Sequence, residues 1–185
     1  MQIDAQIFLP IAERAGQVAI IDSEATGTKG DYNSLLVVTI KPLGRPPVTL
    51  SVERPGDDRS LARDARDLLH EYAVWVSYYG KGFDMPMLQS RLLRHNLKPL
   101  ERRLHIDVYW HMKAHSLTAR RSQAHLLEWL DTPSKKMTLS PELWNQVLKD
   151  PARGLAVLRS RCESDCEGLE ALYNRTKHLI VNITR

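Results

Sequence analysis

Val18-Ala19-Ile20-Ile21-Asp22-Ser23-Glu24-Ala25-Thr26-Gly27 is the stretch on which the fold turns. Four consecutive apolar residues running straight into charge read as a central strand buried on both faces. Residues i and i+2 of a strand point to the same side, so Asp22 and Glu24 are predicted to project together from the sheet. Two like charges held that close are costly unless a cation neutralises them. Hard carboxylate oxygens of this kind suit magnesium or manganese. A D-x-E tripeptide is common by chance, so the reading depends on what the rest of the chain brings to it.

Outward from this strand, Gly27, Gly30 and Asn33 mark a turn. Leu35–Ile40 and Val48–Val52 read as two β-rich strands, and the turn-like segment 41–47 between them predicts an antiparallel hairpin. Asp57-Asp58 precede a helix over Ser60–Glu71, with Leu61, Ala65 and Leu68-Leu69 on one face. Ala73–Tyr78 is a further buried strand, followed by a helix from about Asp84 and a short fifth strand at Leu104–Val108. Helices are predicted over Ser122–Leu130, Pro141–Leu148 and from about Gly154 to Ile180. Residues 1–17 read as a short amphipathic prelude. Three adjacent strands, then helix, strand, helix, strand and a helical tail, is an α/β order.

The 185 residues are the length of one domain, with 43% hydrophobic and 26% charged residues. That balance excludes wholesale disorder and collagen-like repeats. No apolar run approaches the roughly 20 residues of a membrane span, and the start lacks the pattern of a secretory signal. A soluble, cytoplasmic protein is expected. Cys162 and Cys166, four apart on a predicted helix, are poorly placed for a disulfide and read as reduced structural thiols. The net charge of +4 says little, but its distribution says more. Between Arg91 and Arg121 there are eight Lys/Arg (among them Arg120 and Arg121) against Glu101 and Asp107, with four histidines added. Such a region suits a polyanion or is a solvated helix face.

Two further acids stand out. In Trp75-Val76-Ser77-Tyr78-Tyr79-Gly80-Lys81-Gly82-Phe83-Asp84 a buried strand ends in a glycine turn with an acid at the start of the next helix. An ordinary N-cap would explain Asp84 equally well. On the last helix Asp165 shares a face with Leu169 and Leu172, and an acid on an apolar stripe needs a partner or a cation.

Together these segments resemble the DEDD superfamily of 3′–5′ exonucleases, which have a ribonuclease-H-like fold. Asp22-Ser23-Glu24-Ala25-Thr26-Gly27 is similar to the family's first motif, Gly82-Phe83-Asp84 with Pro86 to its second, and Cys162 to Tyr173, carrying Asp165, to its third. The likeness covers about residues 18–175 and implies one exonuclease domain over residues 1–185, with 1–17 as an extension. It implies a mixed five-stranded sheet of order 3-2-1-4-5 with the second strand antiparallel and helices on both faces. It also implies that Asp22, Glu24, Asp84 and Asp165 are catalytic and hold two Mg2+ or Mn2+ ions, one activating water and the other stabilising the leaving 3′ oxygen. The implied substrate is a single-stranded 3′ end, DNA favoured, cut to mononucleotides. A replication or repair polymerase is the implied protein partner, and a phage or bacterial stand-alone branch the implied setting, with a phage-encoded protein acting in the host cell as one form of it.

The family's third motif supplies a tyrosine four residues, or a histidine five residues, before the aspartate as general base. Here those positions are Arg161 and Ser160. Arginine stays protonated and accepts no proton from water. Water activation by metal alone, a base elsewhere, or a weak or inactive enzyme are the three readings, with Arg161 binding the scissile phosphate. Phe83, Arg120 and Arg121 are the other substrate-binding candidates. Asp107 reads as a supporting or structural acid. His111 and His115 have zinc-pair spacing but lack a third ligand. Tyr78, Tyr79, Phe83 and Trp110 have the chemistry to stack a base, with core packing favoured for Trp110. Lys135-Lys136 reads as a phosphate contact or a wet loop. The rival functions are a catalytically silent nucleic-acid-binding or polymerase-accessory module and a structure-selective endonuclease on the same fold.

Overall fold

In the computed structural model, which describes residues 2–132 and 149–184, a strand β1 (Gln2–Asp4) and helix α1 (Ala5–Arg14) precede the central strand β2 (Val18–Ala25). Next come β3 (Leu35–Pro42), β4 (Val48–Ser51), α2 (Arg59–His70), β5 (Val74–Ser77), α3 (Asp84–Arg94), β6 (Leu104–Asp107), α4 (Val108–His115) and α5 (Gln123–Trp129). A long helix α6 (Pro151–Thr176) and a short strand β7 (Asn182–Thr184) complete it. The predicted helix Pro141–Leu148 and the pair Lys135-Lys136 lie outside the described residues.

The main sheet has five strands in the order β4-β3-β2-β5-β6. β3 runs antiparallel to both its neighbours, and β5 and β6 run parallel to β2. With β1 set aside, that is the expected order of the five core strands. The detail that differs is a second, two-stranded sheet in which β1 pairs antiparallel with β7. The helix of residues 154–180 also ends earlier than predicted, at Thr176, and residues 108–115 form a helix of their own.

Strand alternation divides the core. Val18 and Ile20 pack with Val74, Val76 and Ile106, under Leu9 of α1, Leu126 of α5 and Leu169, Leu172 and Tyr173 of α6. Ala19 and Ile21 pack with Trp75, under Leu61 and Leu69 of α2 and Met87, Leu88 and Leu92 of α3. The strand is thus covered on both sides, which is why it reads as an uninterrupted apolar run. Its polar end stays largely enclosed, with Ser23 and Glu24 buried and Asp22 half-buried.

Three polar clamps hold the layers in register. Asp58, fully buried before α2, accepts from the Leu35 backbone N–H (2.8 Å) and from Arg91 Nε (2.7 Å) and Nη2 (3.0 Å), and its Oδ1 lies 2.7 Å from His95 Nε2. This ties β3, α2 and α3 together. Arg91, grouped by sequence with an exposed basic region, is therefore an internal ion-pair partner. On the other side Lys41, buried at the end of β3, is paired with Glu170 of α6. Glu13 of α1 receives the Tyr173 hydroxyl (2.7 Å) and the Lys177 ammonium (2.8 Å).

Candidate active site

The alternation that divides the core also distributes the acids. Asp22 and Glu24 continue the row of Val18 and Ile20 and face α6, as the two-residue period requires. There they meet Asp165, two full helical turns before Leu172 on the buried stripe. One carboxylate oxygen from each of Asp22, Glu24 and Asp165 lies within 4.8 Å of the others. Among the described residues this is the cluster of acids, histidines or cysteines suited to a metal ion. Glu24 and Asp165 are buried and Asp22 is half-buried. Three hard oxygen donors converging on one point fit Mg2+ or Mn2+ and fit poorly a soft or nitrogen-seeking metal.

Asp84 is not one of the three. It belongs to the row of Ser23, and the Ser23 hydroxyl donates to its Oδ1 at 2.5 Å. Burial pushes the Asp84 carboxyl up to about 6, partly opposed by that hydrogen bond and reinforced by the nearby charge of Asp107. Asp84 is the first residue of α3, with Phe83 in the cap position, so it is not an N-cap. The fourth expected ligand thus enters from beside the cluster, linked to it through the residue between Asp22 and Glu24.

The turn leading to Asp84 is held closely. Tyr79 has φ +62°. A Cβ on Gly80 would lie 2.3 Å from Ser77 Oγ of the buried strand end, so that position requires glycine, and one on Gly82 would lie 2.6 Å from the exposed Tyr79 ring, which would have to turn aside. Asp107, buried at the end of β6, accepts from the backbone N–H groups of Tyr79 (2.8 Å) and Lys81 (2.9 Å) and also caps α4 by accepting from Tyr109 (3.2 Å). It shapes the turn that delivers Asp84. Phe83 is partly buried against the core.

Arg161 reaches forward along α6 to the acids. Its Nε lies 2.8 Å from Glu24 Oε1 and 3.5 Å from Asp165 Oδ2, the latter an i,i+4 pair on the helix. At the next residue, the Cys162 thiol donates to Asp22 Oδ2 at 3.2 Å. Burial and the Asp22 charge push both Cys162 and Cys166 well above the usual thiol range, so both stay protonated. They are free cysteines, as expected. Gln123 of α5 donates to the Asp165 backbone carbonyl (2.7 Å), fixing that turn of the helix. Ser23 and Gln123 escaped the sequence reading, as did the contact of Cys162 with Asp22. Ser23 was legible in principle, since the middle residue of D-x-E on a strand must point to the opposite face.

Other candidates fall around this centre. Arg120 is exposed and Arg121 half-buried just before α5. The Tyr78 hydroxyl donates to the Arg121 carbonyl, and burial raises its pKa, so Tyr78 serves the interior. Trp110, expected in the core, is 42% exposed. It lies beside Tyr79 and Tyr109, with the Lys113 ammonium 4.6 Å from its ring centre. His111 and His115 stack on each other with ring centres 6.3 Å apart.

A central strand ending in paired acids, flanked by antiparallel and parallel neighbours and met by an acid from the last helix, is also what the family comparison picks out. Residues 19–177 match the RNase H superfamily. The chain belongs to that superfamily. RNase H superfamily membership agrees with the resemblance to the DEDD 3′–5′ exonucleases carried by Asp22, Glu24, Asp84 and Asp165. The fold is shared with a family B DNA polymerase from the hyperthermophilic archaeon Pyrobaculum calidifontis, at a TM-score of 0.69 and 18% identity over 86% of this chain. The chain corresponds to only 24% of that polymerase. No curated protein matches the sequence. None of the helices among the described residues is long and apolar enough to cross a membrane.

Proposed function

We propose that this chain is a divalent-metal-dependent 3′–5′ exonuclease that hydrolyses single-stranded nucleic acid, DNA favoured, to mononucleotides. The convergence of Asp22, Glu24 and Asp165 within 4.8 Å at the end of the central strand carries this reading. These three would hold Mg2+ or Mn2+, two ions in all, with Asp84 as the fourth carboxylate. When bound, the ions supply Lewis acidity for water activation and for charge on the leaving 3′ oxygen. Ser23 keeps Asp84 aimed, Cys162 orients Asp22, and Asp107 holds the turn between β5 and α3. Arg120 and Arg121 take backbone phosphates, and Phe83 lies against the substrate's terminal unit. It acts in the cytoplasm, with a replication or repair polymerase as its protein partner.

The deciding experiment is incubation of the chain with 5′-labelled single-stranded DNA and RNA in Mg2+, Mn2+ or EDTA. A ladder shortening from the 3′ end, abolished by EDTA, is the expected result. Metal-dependent nicking of a closed circle would point instead to an endonuclease. Binding without turnover in either metal would make this a silent accessory module, the reading that Arg161 on two of the acids favours.

A further inference from the structure

Arg161 stands where a divalent cation would be drawn. Its guanidinium is in contact with Glu24 and within 3.5 Å of Asp165, two of the three converging carboxylates, and its side chain is only 18% exposed. Three carboxylates this close repel one another strongly in a partly desolvated pocket, and one guanidinium relieves much of that repulsion. The same acids therefore have two alternative counter-charges. A guanidinium and two divalent ions on one small set of carboxylates would leave an excess of positive charge. That excess vanishes when a phosphodiester arrives, and planar guanidinium pairs with phosphate at least as readily as with carboxylate.

We infer that Arg161 is the resident counter-ion of the acidic centre and is exchanged: the metal takes Glu24 and Asp165 as the guanidinium leaves them for a substrate phosphate. This rests on the metal-dependent reading above and adds a regulatory consequence to it. The free protein holds metal weakly, and metal and phosphate-bearing ligand strengthen each other's binding. Linkage makes that strengthening reciprocal, by about tenfold for an exchange of this kind. A positioning arginine that merely braced α6 would produce no such coupling.

The test is a titration of the full chain with Mn2+, followed by the loss of the free-ion electron paramagnetic resonance signal and by calorimetry. It is run with and without thymidine 5′-monophosphate, a phosphate probe that is not consumed. Wild type is expected to bind Mn2+ weakly alone and about tenfold more tightly with the nucleotide. Arg161→Gln is expected to bind Mn2+ about as tightly alone as wild type does with nucleotide, and to gain little from nucleotide. Its melting temperature without metal should fall and recover on adding Mn2+, which keeps the variant informative if it is less stable. Arg161→Lys, a point charge that cannot fork across two acids, should lie between the two. Equal Mn2+ affinity in wild type and Arg161→Gln, or nucleotide coupling that survives the substitution, overturns the exchange while leaving the metal reading standing. If neither protein binds Mn2+, the metal reading itself falls and the exchange with it.

Discussion

The Ser23 hydroxyl donates to Asp84 across 2.5 Å, so the residue that separates Asp22 from Glu24 in the chain is also the one that anchors the fourth acid. One short run of strand thus organises both sides of the centre. Ser23→Ala should leave Asp22 and Glu24 in place but loosen Asp84. Loss of a donor to a buried carboxylate costs about 1–3 kcal/mol. The expected outcome is a lower melting temperature and reduced turnover, with Ser23→Thr recovering part of both; unchanged turnover in Ser23→Ala would separate Asp84 from the chemistry.

Asp22→Asn should abolish metal-dependent hydrolysis while leaving the fold intact. The substitution removes one of three mutually repelling charges and keeps an acceptor for the Cys162 thiol. Without metal the melting temperature should stay level or rise. A collapsed transition in the melt would show that Asp22 acts structurally.

Gly80→Ala tests the turn without altering any charged group. The added Cβ would lie 2.3 Å from Ser77 Oγ and 3.1 Å from Asp84 Oδ2, and neither the strand end nor the buried acid can move freely. Overpacking of this kind costs roughly 1–3 kcal/mol. Turnover should fall more than stability, read by comparing single-turnover rates with melting curves.

Asp58 should set part of the acid limit of stability. Burial raises its carboxyl, but hydrogen bonds from Arg91, His95 and Leu35 outweigh that and hold it below its ordinary 3.8. Its stabilising contribution is therefore full above that ordinary value and is lost as pH falls through the lowered one. Asp58→Asn should destabilise by about 3–5 kcal/mol at neutral pH, because Arg91 is left buried without its counter-charge. The gap between wild type and variant should close only as pH falls through that lowered value, where both come to carry an uncharged side chain.

Substituting Arg120 and Arg121 together by alanine should weaken single-strand binding and flatten its salt dependence. Each phosphate that is no longer neutralised takes roughly 0.7 off the slope of log affinity against log salt. An unchanged slope would return this segment to an ordinary solvated face.

The sequence made the centre legible where a period controls direction. Asp22 and Glu24 are two apart on a strand, so their shared face followed from alternation; helical phase put Asp165 on the buried stripe with Leu169 and Leu172, and its joining the other two was implied by the resemblance. Asp84 after its glycine turn read equally well as an N-cap and was singled out by the resemblance; its tether to Ser23 depends on the distance between two layers, which no local pattern encodes. β1 and β7 were missed because three residues each carry no readable alternation, and their pairing joins the two extremes of the described chain. Trp110 was expected inside because large aromatics usually are. It sits instead at the rim of a helix with weak amphipathicity, where Lys113 covers its face.

The pairing of β1 with β7 brings Gln2 opposite Thr184, so both ends of the described chain leave the domain at one spot. A unit shaped this way is suited to grafting. It can be inserted into a surface loop of a larger polypeptide with two short joints and no stretching of its sheet. The arrangement also makes the two ends interdependent: trimming residues 2–4 exposes the backbone of 182–184, and trimming those three residues strands the start of α1.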